Sequence, residues 1–275
     1  MVFESLMTPW KAEKHPWEMI FFGFLYASIA IALSIWIFRD HAGLISVFFT
    51  VMFCIPLLYN TLRMEEEKAD FYEEEKSLLK EHGKALLFLL FLFIGMTFSF
   101  ATWYVAMPQE MSQSIFSVQM HTIVDINSNV NSEFGTFTKI VANNIKVLTF
   151  CLLFSFVFGA GAIFILTWNA SVIAVAMGSL IESHVLNTQS GFIIAHIEGY
   201  SGAVLRYFVH GIPEIAAYFV AALAGGIISV SIIKKDIFTK NFQKIAFDTS
   251  NLIIISIIIL VLAGFIETYI TPFLY

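Results

Sequence analysis

The stretch LRYFVHGIPEIAAYFVAALAGGIISVSIIKK, residues 205–235, decides how this chain is read. From Ile212 to Ile233 it offers 22 residues whose only charge is Glu214. At about 1.5 Å per residue, that is enough helix to cross a hydrocarbon core of roughly 30 Å. Pro213 suits the first position of a helix, where its missing N–H would have no partner anyway, and Gly211 releases the segment before it. The sequence therefore predicts a helix starting at Pro213, with Glu214 in its first turn. A carboxylate there is favoured by the unpaired amides of the helix end, and it is also a candidate membrane-embedded acid beside His210.

Working outward, the same pattern recurs. Of the 275 residues, 58% are hydrophobic, 30 are Phe and only 13% are charged. That leaves too little polar surface to coat a soluble globule, so the fold class is all-α, a polytopic helical membrane protein. Cys54 and Cys151 both fall in apolar runs, which favours buried thiols over a disulfide. The net charge of -6 comes largely from one acidic block, and no basic cluster points to nucleic acid. The N-terminal residues carry mixed charge ahead of a full-length apolar run, unlike a cleavable signal.

Spans are expected at 19–38, 44–62, 85–107, 145–166, 170–181, 212–233 and 252–270. Trp17 and Trp36 flank the first, where indoles prefer the interface. Between the second and third, residues 62–84 hold eight acids from Glu65 to Glu81 among strong helix formers, and are expected to form a solvated acidic helix. Residues 108–138 are expected as a polar loop with an amphipathic helix on the membrane surface, carrying Ile115, Val118, Ile123, Ile126 and Val130. Trp168 and Asn169 are expected to turn the chain between the fourth and fifth spans. Residues 183–207 mix polar groups and glycines with short apolar patches, which suits a re-entrant or interfacial segment before the sixth span. The domain reading is a three-span module at 1–107, the loop at 108–138 and a four-span module at 139–275.

Seven crossings place eleven Lys and Arg on the N-terminal side against Arg39, Lys139, Lys146 and Arg206 on the other. The positive-inside bias then makes the N-terminus cytoplasmic and the C-terminus external in a multi-pass cell-membrane protein. Glu182, Glu214 and Glu267 land in the outer half with Arg206 and His210, which form the candidate functional polar cluster. His210, Glu214 and Glu267 are the residues a metal would use, but their spacing is not diagnostic, and no cofactor or catalytic residue is expected. Ser155, Gly159 and Gly161 in the fourth span, and Ala217, Ala221 and Gly225 in the sixth, are small residues that let helices approach closely. Their contact is expected within one chain, with a homodimer as the alternative.

Residues 139–274 also carry a family likeness. Asn143-Asn144, the Gly159 and Gly161 pair, Trp168-Asn169, His210-Gly211 with Glu214, and Glu267 before Thr271-Pro272 resemble the stage II sporulation protein M family. The N-terminal hairpin, acidic helix and third span look like the extension of archaeal members. The resemblance implies a non-catalytic membrane scaffold or anchor for a membrane or extracytoplasmic protein partner, as bacterial members anchor cell-wall hydrolases during spore engulfment. The alternative, which rests on the acids, is a transporter or channel for a proton, ion or small solute.

Overall fold

The computed structural model describes residues 8–71, 75–127, 133–158, 162–233 and 240–274, and no strand occurs among them. The helices are α1 (Pro9–Lys14), α2 (Glu18–Ile37), α3 (Ala42–Phe71), α4 (Glu75–Ala106), α5 (Gln109–Ile115), α6 (Ser117–Asn127), α7 (Glu133–Phe158), α8 (Ala162–Asn187), α9 (Phe192–Ile233) and α10 (Lys240–Tyr269). Short 3₁₀ turns at Arg39–His41 and Thr271–Leu274 close the α2–α3 hairpin and follow α10. Seven helices, α2, α3, α4, α7, α8, α9 and α10, are long and apolar enough to cross a bilayer. This is a multi-pass membrane protein.

Helical spans satisfy their own backbone, so packing falls to side chains and to backbone approach. In the N-terminal part, α2 lies on α4 through two glycines. A Cβ at Gly23 would collide with the Leu92 carbonyl, and one at Gly95 with the Ile20 carbonyl, so any larger residue forces the helices apart. Ser28 and Ser99 then share a hydrogen bond of 2.9 Å across the same seam. In the C-terminal part α9 packs on α7, α8 and α10. A Cβ at Gly225 would sit 2.6 Å from the Leu152 carbonyl oxygen and 3.1 Å from the Cβ of Ser155, with Ala217 and Ala221 buried on the same helix. The small-residue stripe therefore meets Ser155 of its own chain; Gly159 and Gly161 lie outside the described residues.

Four expectations are corrected. First, α9 is one helix of 42 residues with Pro213 inside it, so Pro213 starts nothing and residues 183–207 are not re-entrant: α8 runs to Asn187 and α9 begins at Phe192. A proline at this position removes only the bond to the Val209 carbonyl, and in lipid the cost of exposing further backbone groups outweighs that loss. Second, Trp168 and Asn169 do not turn the chain. They lie within α8, where the Asn169 amide donates to the Ile165 carbonyl at 2.8 Å and so is satisfied along the helix. The fourth and fifth spans accordingly shift to 134–157 and 162–187.

Third, no separate acidic helix spans 62–84: α3 continues to Phe71 and α4 begins at Glu75, so the spans themselves extend through the acidic block, with residues 72–74 outside the described ones. Fourth, the segment after Pro108 folds back onto the bundle instead of lying out on a surface. Phe116 stacks near Phe100 and Tyr104, at ring separations of 6.4 and 5.7 Å. Phe116 and Gln119 are fully buried whereas Val118, expected on the apolar face, is half exposed. Val130 lies outside the described residues.

Candidate functional site

Continuity of α9 through Pro213 changes the register of its polar residues. His210, Glu214 and Tyr218 are spaced by four, and in an unbroken helix they share one face. The Tyr218 hydroxyl donates to Glu214 Oε1 at 2.8 Å. Tyr218 is fully buried, so its hydroxyl requires such a partner. One turn earlier, His210 Nδ1 lies 3.2 Å from Thr271 Oγ1, beyond the end of α10. Thr271 gives its own proton to the Ile266 carbonyl at 3.2 Å, which leaves the imidazole N–H as donor. That bond ties the last turn of α10 to the middle of α9.

Two further helices complete the cluster. Glu267 lies one turn before Thr271, within reach of the charge of Glu214. From α7, the side chain of Asn144 also faces Glu214. Asn144 is only 6% exposed, and the Glu214 carboxylate is the acceptor beside its Nδ2, which lies outside ideal donor geometry. Two acids inside membrane-length helices make an expensive arrangement.

His210 and Glu214 share one face of α9, and the bond from His210 to Thr271 ends one turn beyond Glu267 on α10. Glu182 is elsewhere: it sits partly buried in α8, where its charge acts on Tyr104, whose hydroxyl accepts from Ser179 at 3.3 Å. Arg206 is exposed on α9, its guanidinium 5.9 Å from the ring of Tyr207. Among the described residues no three His, Cys, Asp or Glu side chains converge as metal ligands do. His184 and Glu198 instead pair with each other at 3.2 Å across the α8–α9 turn.

Asn144, Tyr218 and Thr271 were not singled out as site residues from sequence. Tyr218 had a readable signal, its four-residue spacing from Glu214, hidden by the assumed break at Pro213. Asn144 and Thr271 stood out only as part of the family likeness, in Asn143-Asn144 and Thr271-Pro272. Gln119 is a second buried polar residue that escaped notice. Its Nε2 reaches the Gly43 carbonyl at 3.3 Å and Ser171 Oγ at 3.4 Å, and its Oε1 has no partner. It joins α6 to the start of α3 and to α8.

The sequence profile of stage II sporulation protein M matches residues 85–272. The chain belongs to the stage II sporulation protein M family. The matched region starts at the third span, well before residue 139 where the resemblance was read. The structure gives a reason: α4 packs against α8, and a Cβ at Gly178 would strike the Tyr104 ring, so the third span is built into the family's bundle. Every residue of the cluster, from Asn144 to Thr271, lies inside it. An uncharacterized protein of Methanocaldococcus jannaschii is 31% identical over 154 residues, covering 54% of this chain and 78% of its own length. No solved structure matches the chain.

Proposed function

We propose that this protein is a non-catalytic membrane scaffold that holds a partner protein at one end of its helical bundle. The observation that carries this reading is the shape of the α8–α9 end. At about 1.5 Å per residue, the 42 residues of α9 reach roughly 63 Å, about twice the core of a bilayer. Its first turns present Phe192, Ile193, Ile194 and Ile197, with Leu186 from the end of α8, all more than half exposed. Several exposed apolar side chains at one end of an element longer than the membrane requires suit a docking surface. Membership of the sporulation protein M family, whose bacterial members anchor other proteins, supports the same reading.

With the N-terminus cytoplasmic, as the distribution of Lys and Arg favours, this end lies outside the cell membrane and its partner is an extracytoplasmic or membrane protein. The test is a photocrosslinking residue placed at Ile193 or Ile197 in native membranes, with labelling at Trp36 as the lipid-facing control. A discrete adduct from the α9 positions alone is expected; lipid adducts only, at all three positions, overturn the reading.

The polar cluster favours a second reading, a transporter or channel for a small ion, because ionisable groups inside spans commonly mark ion paths. Flux in proteoliposomes that is lost in Glu214→Gln with the fold intact would establish it over the scaffold.

A further inference from the structure

We propose that the crevice between α4, α8 and α9 holds one acyl chain of an anionic phospholipid, with the phosphate of its headgroup at Arg206. The crevice is lined by Leu90 and Ile94 from α4, Ile173 from α8, and Tyr207, Gly211 and Ile215 from α9. All of these residues lie within spans, so the medium at its mouth is the hydrocarbon of the bilayer. Gly211 helps to leave the space unfilled. It is buried in α9, yet a Cβ built on it would meet no atom within 4 Å. This glycine therefore does not serve close approach, unlike Gly225 on the same helix, where a Cβ would lie 2.6 Å from the Leu152 carbonyl oxygen.

Shape and charge together select the occupant. About 260 Å³ in and around the crevice is unfilled by protein, counting the part open to the outside. That is below the roughly 300 Å³ at which sites for drug-sized ligands begin, and it is drawn out along α9 from Tyr207 to Ile215, about 12 Å of helix. A narrow apolar chain fits these dimensions better than a compact solute. Side chains facing an unfilled space forfeit dispersion contacts, which an acyl chain restores. Ile212, exposed at the rim, leaves the mouth open toward lipid. The end nearer the α8–α9 turn is marked by Arg206, which is exposed and holds its guanidinium 5.9 Å from the ring of Tyr207. A guanidinium there can take phosphate oxygens through paired N–H donors, and its apolar stem lets it rise toward the headgroup layer. Basic groups beside crevices between membrane helices are a recurrent means of holding anionic lipid headgroups.

Lipid retention needs neither a docked partner nor flux, so it stands or falls separately from both functional readings. The full chain is reconstituted with equal amounts of phosphatidylglycerol and phosphatidylcholine of the same acyl chains, extracted in mild detergent and weighed intact by native mass spectrometry. A discrete complex with one lipid is expected, with phosphatidylglycerol favoured about fivefold. Arg206→Gln should keep the single lipid and lose the preference. Gly211→Leu puts a side chain into the open space and raises helix propensity, and should abolish the one-lipid species. Where Gly211→Leu does not give a monodisperse protein, Ile212→Trp narrows the mouth from the exposed rim and takes its place, with the same expected loss. A graded ladder of lipids with no discrete one-lipid species overturns the site, as does a one-lipid species that persists equally in the crevice variant. An equal split between the two headgroups in the unmodified chain, or a preference unchanged in Arg206→Gln, removes the phosphate from Arg206 and likewise overturns the proposal.

Discussion

The N-terminal helices α2–α4 and the C-terminal set α7, α9 and α10 solve the same packing problem with different chemistry. In the first set, polar side chains mostly serve their own helix: Ser34 donates to the Ala30 carbonyl, Thr50 to Ser46, Thr61 to Leu57 and Thr97 to Phe93, all within one turn. The Ser28–Ser99 bond is the exception that crosses the seam. In the second set most do the same, Thr149 donating to the Ile145 carbonyl, Thr249 to Ile245 and Thr268 to Gly264, while His210 reaches across to Thr271. Both sets use glycine for close approach, at Gly23 and Gly95 in one and Gly225 in the other. Close approach is thus the shared structural device, and partly buried carboxylates within the spans are what the C-terminal set adds. That asymmetry places the functional candidates in the C-terminal half.

The comparison can be broken most severely at the glycines. Gly225→Leu drives side-chain atoms into the backbone of α7 at Leu152, and Gly23→Leu does the same to α4 at Leu92. Each should cost at least about 1–3 kcal/mol through overpacking and lower the yield of monodisperse protein in detergent. If Gly225→Leu is tolerated while Gly23→Leu is not, the C-terminal helices are more loosely held than their geometry indicates.

Tyr218→Phe comes next. It strips the carboxylate of Glu214 of a 2.8 Å donor while leaving the ring in place, and should destabilise by about 1.5–3 kcal/mol if that carboxylate is charged. The double change of Tyr218→Phe with Glu214→Gln should recover part of this loss in a thermal unfolding cycle; strict additivity would show that the hydrogen bond is not formed.

Smaller effects sharpen the picture. Ser28→Ala removes one interhelical hydrogen bond in the N-terminal set and should cost about 0.6 kcal/mol, the usual scale of such bonds in membranes. Gln119→Met should change stability by less than about 1 kcal/mol, because it exchanges two long hydrogen bonds and an unpartnered oxygen for an apolar chain of similar volume. A large loss at Gln119 would show that its contacts to Gly43 and Ser171 hold the returning α6 in place.

The sequence by itself determined the all-helical class, the seven spans and the family likeness, because a bilayer demands long apolar helices and that demand is written locally in composition. It also marked His210, Glu214 and Glu267, since a charge in an apolar run stands out wherever it lies. The helix boundaries followed less well. Pro213 and the Trp168-Asn169 pair are breakers in water, but each is absorbed when the surrounding helix is in lipid or packed and its backbone has nowhere else to bond. The displaced boundaries hid the four-residue spacing of Glu214 and Tyr218, and they invented a re-entrant segment where α9 simply continues. Only the tertiary structure decided which polar residues meet. The close seam of Gly225 on Leu152 and the tie between His210 and Thr271 are contacts between residues dozens of positions apart.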